Sequence, residues 1–156
     1  MDANPLSLVL LCALALLLVS AAVEDLRVRE IANWKNAVIA AMAPAFWWAT
    51  GYGLSDAAIQ LGLAVMIFGL FMLAWLARQM GGGDVKMLGA LALWFPWQPL
   101  TGLLMIMAIA GGVLTLAMLI ERRFRPKSSP PEIPYGVAIA FAGLVTINQP
   151  ILNHFG

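Results

Sequence analysis

Eight acidic side chains occur in the 156 residues, and their places relative to the apolar stretches divide them into two groups. Asp2 and Asp56 lie in short exterior segments, while Glu30, Glu121 and Glu132 lie in connections rich in arginine and lysine, where they can pair. Glu24 and Asp25 instead close the first apolar run, and Asp84 opens a later one. A carboxylate at the margin of a membrane is costly to desolvate, so each of these invites a functional question. Two carboxylates that meet can share a proton, one acting as base on water and the other as acid toward a carbonyl. Such a pair hydrolyses a peptide bond without a metal, a cofactor or another nucleophile. The only cysteine, Cys12, and the only histidine, His154, lie far along the chain from Asp25 and Asp84.

Each acid also has a plainer role open to it. Asp84 ends Gly81-Gly82-Gly83-Asp84, and an aspartate just ahead of an apolar helix is a favoured N-cap. The three glycines permit positive φ and let another chain approach closely. Asp25 could simply balance Arg27 and Arg29.

The elements that must position these residues follow from composition. Hydrophobic residues make up 62% of the chain and charged residues 11%, with a mean hydropathy of +0.89. A soluble domain could not cover itself with so few charges. The apolar residues come in runs of about 15 to 21, the length of helices crossing a ~30 Å hydrocarbon core. Alternation of the membrane β-barrel kind is absent. The patterning predicts an all-α polytopic membrane protein with six spans, at 5–23, 36–51, 57–77, 85–98, 100–120 and 135–152. Pro96 and Pro99 divide the fourth from the fifth, and the proline-rich tract Arg125–Pro134 is a linker. No connection is long enough to hold a soluble domain, so residues 1–156 are expected to act as one integral-membrane domain. A net charge of +1 gives no reason to expect a nucleic-acid partner. A single cysteine excludes an intrachain disulfide and a CxxC zinc site.

Orientation follows from the basic residues. All 9 fall in or at the margins of three connections: Arg27, Arg29 and Lys35; Arg78 and Lys86; and Arg122, Arg123, Arg125 and Lys127. With six spans these are the first, third and fifth connections, which share a side. The positive-inside rule then places them in the cytoplasm and both termini outside. The segment Met-Asp-Ala-Asn-Pro before the first run has no positive charge, so that run is expected to stay as a span rather than leave as a signal peptide. Asp25 and Asp84, about 60 residues apart, thus come to the same face.

Three patches make the chain resemble the type IV prepilin peptidases, the GxGD-type aspartic proteases of membranes. Asp25-Leu-Arg-Val-Arg-Glu-Ile-Ala-Asn33 is similar to the family's aspartate, basic stretch and Ile-Pro-Asn, with Ala32 in place of the usual proline. Gly81-Gly-Gly-Asp-Val-Lys-Met87 looks like the family's Gly-x-Gly-Asp and following lysine, and Ile133-Pro-Tyr-Gly-Val-Ala-Ile-Ala140 like its proline-aromatic-glycine opening of a late span. The resemblance implies that Asp25 and Asp84 are the catalytic aspartates, with no metal and no cofactor. It implies a prepilin or pseudopilin substrate, with a short basic leader before a hydrophobic helix, cleaved at the cytoplasmic face of a bacterial inner membrane. The short length looks like the peptidases of Flp (tight-adherence) pili. The tetracysteine zinc region of bifunctional members has no counterpart here, so N-methyltransferase activity is not expected. Presenilin-like proteases share GxGD but are larger.

Helix-end electrostatics offers roles for the pair. Asp84 sits at a helix N-terminus near Lys86 and is expected to be the ionised base; Asp25 sits at a helix C-terminus and is expected to be the protonated acid. Asn33 is a candidate to orient Asp25. Trp34, Trp47, Trp48, Trp94 and Trp97 are expected to be interfacial anchors, and Asn148-Gln149-Pro150 to interrupt the last span. Two other functions compete: a small ion-coupled transporter component using Asp84, and a non-catalytic membrane protein of pilus or secretion assembly.

Overall fold

The computed structural model describes residues 4–124 and 134–155, apart from the side chains of Arg122 and of residues 149–155. The predicted linker therefore lies, except for Pro134, outside the described residues, as do Asp2, Glu132 and the side chain of His154. Among the described residues helix is the only regular element: α1 Pro5–Val28, α2 Asn33–Ala49, α3 Leu54–Leu76, α4 Gly82–Ala92, α5 Trp97–Phe124 and α6 Tyr135–Phe155. The expected all-α membrane architecture is thus observed. In lipid each backbone polar group must be paired within the protein, and a long apolar run meets that demand as a helix.

Element ends obey local chemistry. Asn4 caps α1, its Oδ1 accepting the Leu6 N–H at 3.1 Å, and Pro5 fills the first turn, where a missing N–H costs nothing. The helix runs past residue 23 to Val28 and stops at Arg29, whose left-handed φ of 58° turns the chain. Asp25 is therefore held in the last full turn of a helix. In α3 the Asp56 carboxylate accepts the Gly53 N–H at 2.9 Å, so this acid is a capping residue. The last span is not interrupted: α6 runs continuously through residues 148–150.

Among the described residues three helices are long and apolar enough to cross a membrane, Pro5–Val28, Leu54–Leu76 and Trp97–Glu121, with Tyr135–Asn148 a shorter apolar stretch. The predicted fourth span, 85–98, is corrected most. Its helix has 11 residues and ends at Ala92, about 16 Å at 1.5 Å per residue, well short of a ~30 Å core. A turn through Trp94 and Phe95 leads to Pro96, which precedes α5.

A turn among buried helices needs donors for its carbonyls. The buried Gln60 of α3 supplies two, Nε2 donating to Ala92 O at 2.6 Å and to Phe95 O at 2.7 Å. The indole of Trp47 donates to Leu93 O at 2.8 Å, and that of Trp94 to Ile39 O at 2.9 Å. Trp94 is buried and acts as an internal strut, not as the anchor expected of it, while the half-buried Trp47 ties α2 to the turn. Trp34, Trp48 and Trp97 are exposed, as anchors require.

Helix packing explains why α4 must be apolar on every side. α1 packs on α2 and α6, and α4 packs on the same two, so these four close a ring with α1 diagonally opposite α4. α3 packs on α4, and α5 on α6. From Val85 to Ala92 every residue of α4 except Lys86 is buried, whereas α3 and α5 expose Leu70, Leu73, Ile109 and Val113, a surface suited to lipid.

The helix ends that flank the first and third connections, and the start of α6, meet on one face of this ring. Lys86 Nζ donates to Asn33 Oδ1 at 2.7 Å, and Val137 N–H, early in α6, donates to Asp25 at 3.2 Å. Asn4 Nδ2 donates to Ala49 O at 3.3 Å on the opposite face. The shared side inferred from charge is therefore present in the packing.

Replacing Gln60 by leucine strips both Ala92 and Phe95 carbonyls of their donor. We expect a loss of roughly 2–6 kcal/mol, about 1–3 for each of the two orphaned groups, read as a lower unfolding temperature in detergent. Unchanged melting would show that the turn is held by something else.

Candidate active site

Asp25 and Asp84 reach the site by opposite routes. Asp25 projects from the last turn of α1, and Asp84 from the first turn of α4. Both side chains are buried, and both line a polar pocket of about 290 Å³ together with Arg29, Glu30, Asn33 and Gly81–Gly83. The diagonal helices of the ring thus bring two carboxylates into one cavity.

Each carboxylate is met by backbone N–H groups at a helix start. α6 begins at Tyr135, so the amides of Gly136 and Val137 belong to its first turn, where the Val137 N–H is shared with the Pro134 carbonyl at 3.2 Å. Val137 N–H donates to Asp25 Oδ2 at 3.2 Å, and the Gly136 N–H also faces this carboxylate. A helix N-terminus is a ready anion site. Gly136 is required by space here: a Cβ would lie 2.9 Å from Asp25 Cγ and Oδ2. Asp84 reaches back to the N–H of Gly81, the residue that caps α4, and a Cβ on Gly81 would lie 2.9 Å from Asp84 Oδ2.

The glycine run therefore serves close approach and not positive φ. Gly81 has φ −70°, and Gly51 is the glycine with positive φ among the described residues. Asn36 Nδ2 donates to Gly83 O at 3.1 Å and ties the run to α2.

The electrostatics run against one expectation, an Asp84 kept ionised by its helix start. Asp84 stands ahead of the apolar stretch of α4, at the ring's polar face. Its carboxyl is pushed up from 3.8 to about 7, first by burial and then by the Asp25 charge, against the opposing Gly81 N–H. Lys86 does not offset this. Two positions on along a helix, it points away from Asp84, and its exposed ammonium is bound to Asn33 Oδ1. Asn33 in turn holds Lys86 and does not orient Asp25. The expectation of an ionised Asp84 rested on its own helix dipole and on Lys86; burial beside a second carboxylate outweighs the dipole.

Glu24, next to Asp25, is occupied elsewhere. Its Oε2 lies 2.9 Å from Lys35 Nζ and accepts the Ala32 N–H at 3.0 Å. Lys35 is buried and donates also to Ser20 O at 3.0 Å, so it is a structural tie rather than a solvated loop charge. Ala32 has φ −57°, within proline's range; where proline would have no N–H, the alanine gives one to Glu24. Cys12 is exposed on α1. Among the described residues no group of three or more His, Cys, Asp or Glu side chains is placed to hold a metal.

Comparison with known proteins bears on this site. No solved structure matches the chain. A protein named prepilin leader peptidase/N-methyltransferase from Pseudomonas aeruginosa is 35% identical over 81 residues, 52% of this chain and 27% of its own length. Proteins of the same name from Pectobacterium carotovorum and Dickeya chrysanthemi are 29% identical over 120 and 124 residues, covering 70% and 72% of this chain. The matches span only 41% and 42% of those relatives' lengths. The profile of the type IV leader peptidase family matches residues 12–116, a stretch that includes both Asp25 and Asp84. With that match over most of its length, the chain belongs to the type IV leader peptidase family.

Proposed function

We propose that this protein is an aspartic endopeptidase that removes the leader peptide of a prepilin or pseudopilin, with Asp25 and Asp84 as its catalytic residues. The observation that carries the reading is the meeting of these two buried carboxylates in one polar pocket, the charge of one felt by the other. Family membership supports peptide cleavage, and the relatives' names supply the prepilin leader. Those names include a methyltransferase; the proposal is confined to the peptidase, the chemistry for which a residue pair is in view.

The site supports the following steps. Asp25, held by two backbone amides of α6, carries the negative charge of the pair and takes a proton from water as its oxygen attacks the scissile carbonyl carbon. Asp84, protonated near neutrality, gives its proton to the carbonyl oxygen. The tetrahedral adduct collapses as the proton on Asp25 passes to the leaving amine, the C–N bond breaks, and the adduct's hydroxyl returns a proton to Asp84. Water is consumed, and the pair ends with the single proton it began with. These roles belong to the coupled pair more than to either group alone.

Residues 1–156 act as one peptidase domain in this reading. The pocket faces the cytoplasm of a bacterial inner membrane, because all 9 lysines and arginines lie in the connections on its side or within a few residues of them. A Flp-type prepilin is the first substrate to test, on the resemblance in the three motif patches.

Two outcomes are expected. Co-expressed with a Flp-type prepilin, the wild type shortens it, while Asp25→Asn and Asp84→Asn insert normally and lower processing by about 10³-fold or more, the scale of losing a catalytic group. If both variants process as well as wild type, the aspartic reading is lost. The second outcome concerns stability. The folded-state pKa of Asp84 lies above its unfolded value, so the folded chain binds the proton more tightly and loses stability as pH rises from 3.8 to about 7. Asp84→Asn should therefore melt higher than wild type at pH 8, by up to roughly 4 kcal/mol, and by little at pH 4. An equal difference at both pH values would contradict the shift.

A further inference from the structure

A second cavity, apolar and of about 440 Å³, lies between α2 and α3 with α4 as its floor. α2 and α3 each pack on α4 but do not pack closely on each other, so the gap between them is built into the fold. Its lining has a regular form. Each of the three helices contributes its i, i+3, i+4, i+7 stripe, beginning at Asn33, Leu61 and Lys86 respectively. That spacing marks one face of a helix over two turns, so the cavity runs parallel to the helices for about 10 Å at 1.5 Å per residue. The middle of the stripes holds Ala37, Ala64 and Ala90, while Gly89 lies against the Phe68 side chain. Small side chains at this spacing let another helix backbone come close within a membrane.

A further observation says what fits. Asn33 lines both this slot and the carboxylate pocket, so the polar end of the slot opens beside Asp25 and Asp84. A helix lying in the slot with its N-terminus toward the carboxylates would place the peptide that precedes it at the pocket. That is the order of a leader followed by an apolar helix.

Resting on the peptidase reading above, we propose that the slot between α2 and α3 docks the hydrophobic helix of the substrate, with its N-terminus toward the carboxylate pocket. A comparable apolar cavity between α5 and α6, lined by Ile109 and Phe141, shares no residue with the carboxylate pocket and serves as the control.

The test places a benzophenone amino acid at Val65, which is 64% exposed on the slot, in the Asp84→Asn background with a co-expressed Flp-type prepilin. Irradiation should join Val65 to the prepilin's hydrophobic segment and give far less adduct from the same label at Ile109. Adducts only with lipid or with a second copy of the chain, or equal prepilin adducts from both positions, would overturn the proposal. Independently, Ala64→Phe narrows the slot and should raise KM for the prepilin by about ten-fold, with the smaller effect on kcat. A fall in kcat at constant KM, or no change in either, would contradict docking there. Wild-type cleavage of the same prepilin separates the two levels: without it the peptidase reading fails and this one with it, and with it the adducts decide the slot alone.

Discussion

Two carboxylates in one small pocket at the edge of an apolar bundle cannot both be charged cheaply, because little water is present to screen them. Much of the surrounding structure answers that constraint. The N-terminus of α6 is aimed at Asp25 so that two amides share its charge. Gly136 lets the helix come that close. Asp84 has one such amide, and its burial and its neighbour raise its carboxyl to about 7. A pair that shared a single proton near neutrality would be in the state an acid–base hydrolysis needs.

Holding that pair costs stability, and the rest of the ring offsets it with rigid supports. α4 is too short to span and would expose carbonyls where it ends, yet Gln60 and Trp47 supply donors from two neighbouring helices. Asn36 fixes the glycine run that precedes Asp84, and the Glu24–Ala32–Lys35 knot fixes the turn that follows Asp25. Both acids are thus set on helix ends whose flanking turns are tied down. The ring places them diagonally, with α2 and α6 as common walls.

The sequence discloses much of this scaffold and less of its chemistry. Six apolar runs identify the six helices, and the segregation of basic residues identifies which connections share a face, because both are consequences of the bilayer as solvent. The two aspartates stand out for the same reason. What a neighbouring element contributes is hidden. Asp25 looks disfavoured at the end of its own helix, and nothing nearby in sequence reveals that α6 supplies its donors; Pro134-Tyr-Gly136 was the available sign of a helix start. Gln60 passes unnoticed inside α3, since one glutamine in an apolar run is common helix glue. Trp94 and Trp47 look like anchors because indoles favour interfaces, although a buried carbonyl satisfies their N–H equally well. The early end of α4 is obscured because the apolar run continues through Leu93, Trp94 and Phe95 after the helix stops.

The central claim is that Asp25 and Asp84 titrate as a coupled pair, and carboxyl ¹³C NMR of aspartate-labelled protein in detergent tests it most directly. The Asp84 resonance, assigned by its loss in Asp84→Asn, should titrate near pH 7. In Asp25→Asn its midpoint should fall, because the neighbouring charge is gone, while remaining above 3.8 through burial. An Asp84 resonance that titrates near 4 and ignores the Asp25 substitution would contradict the account.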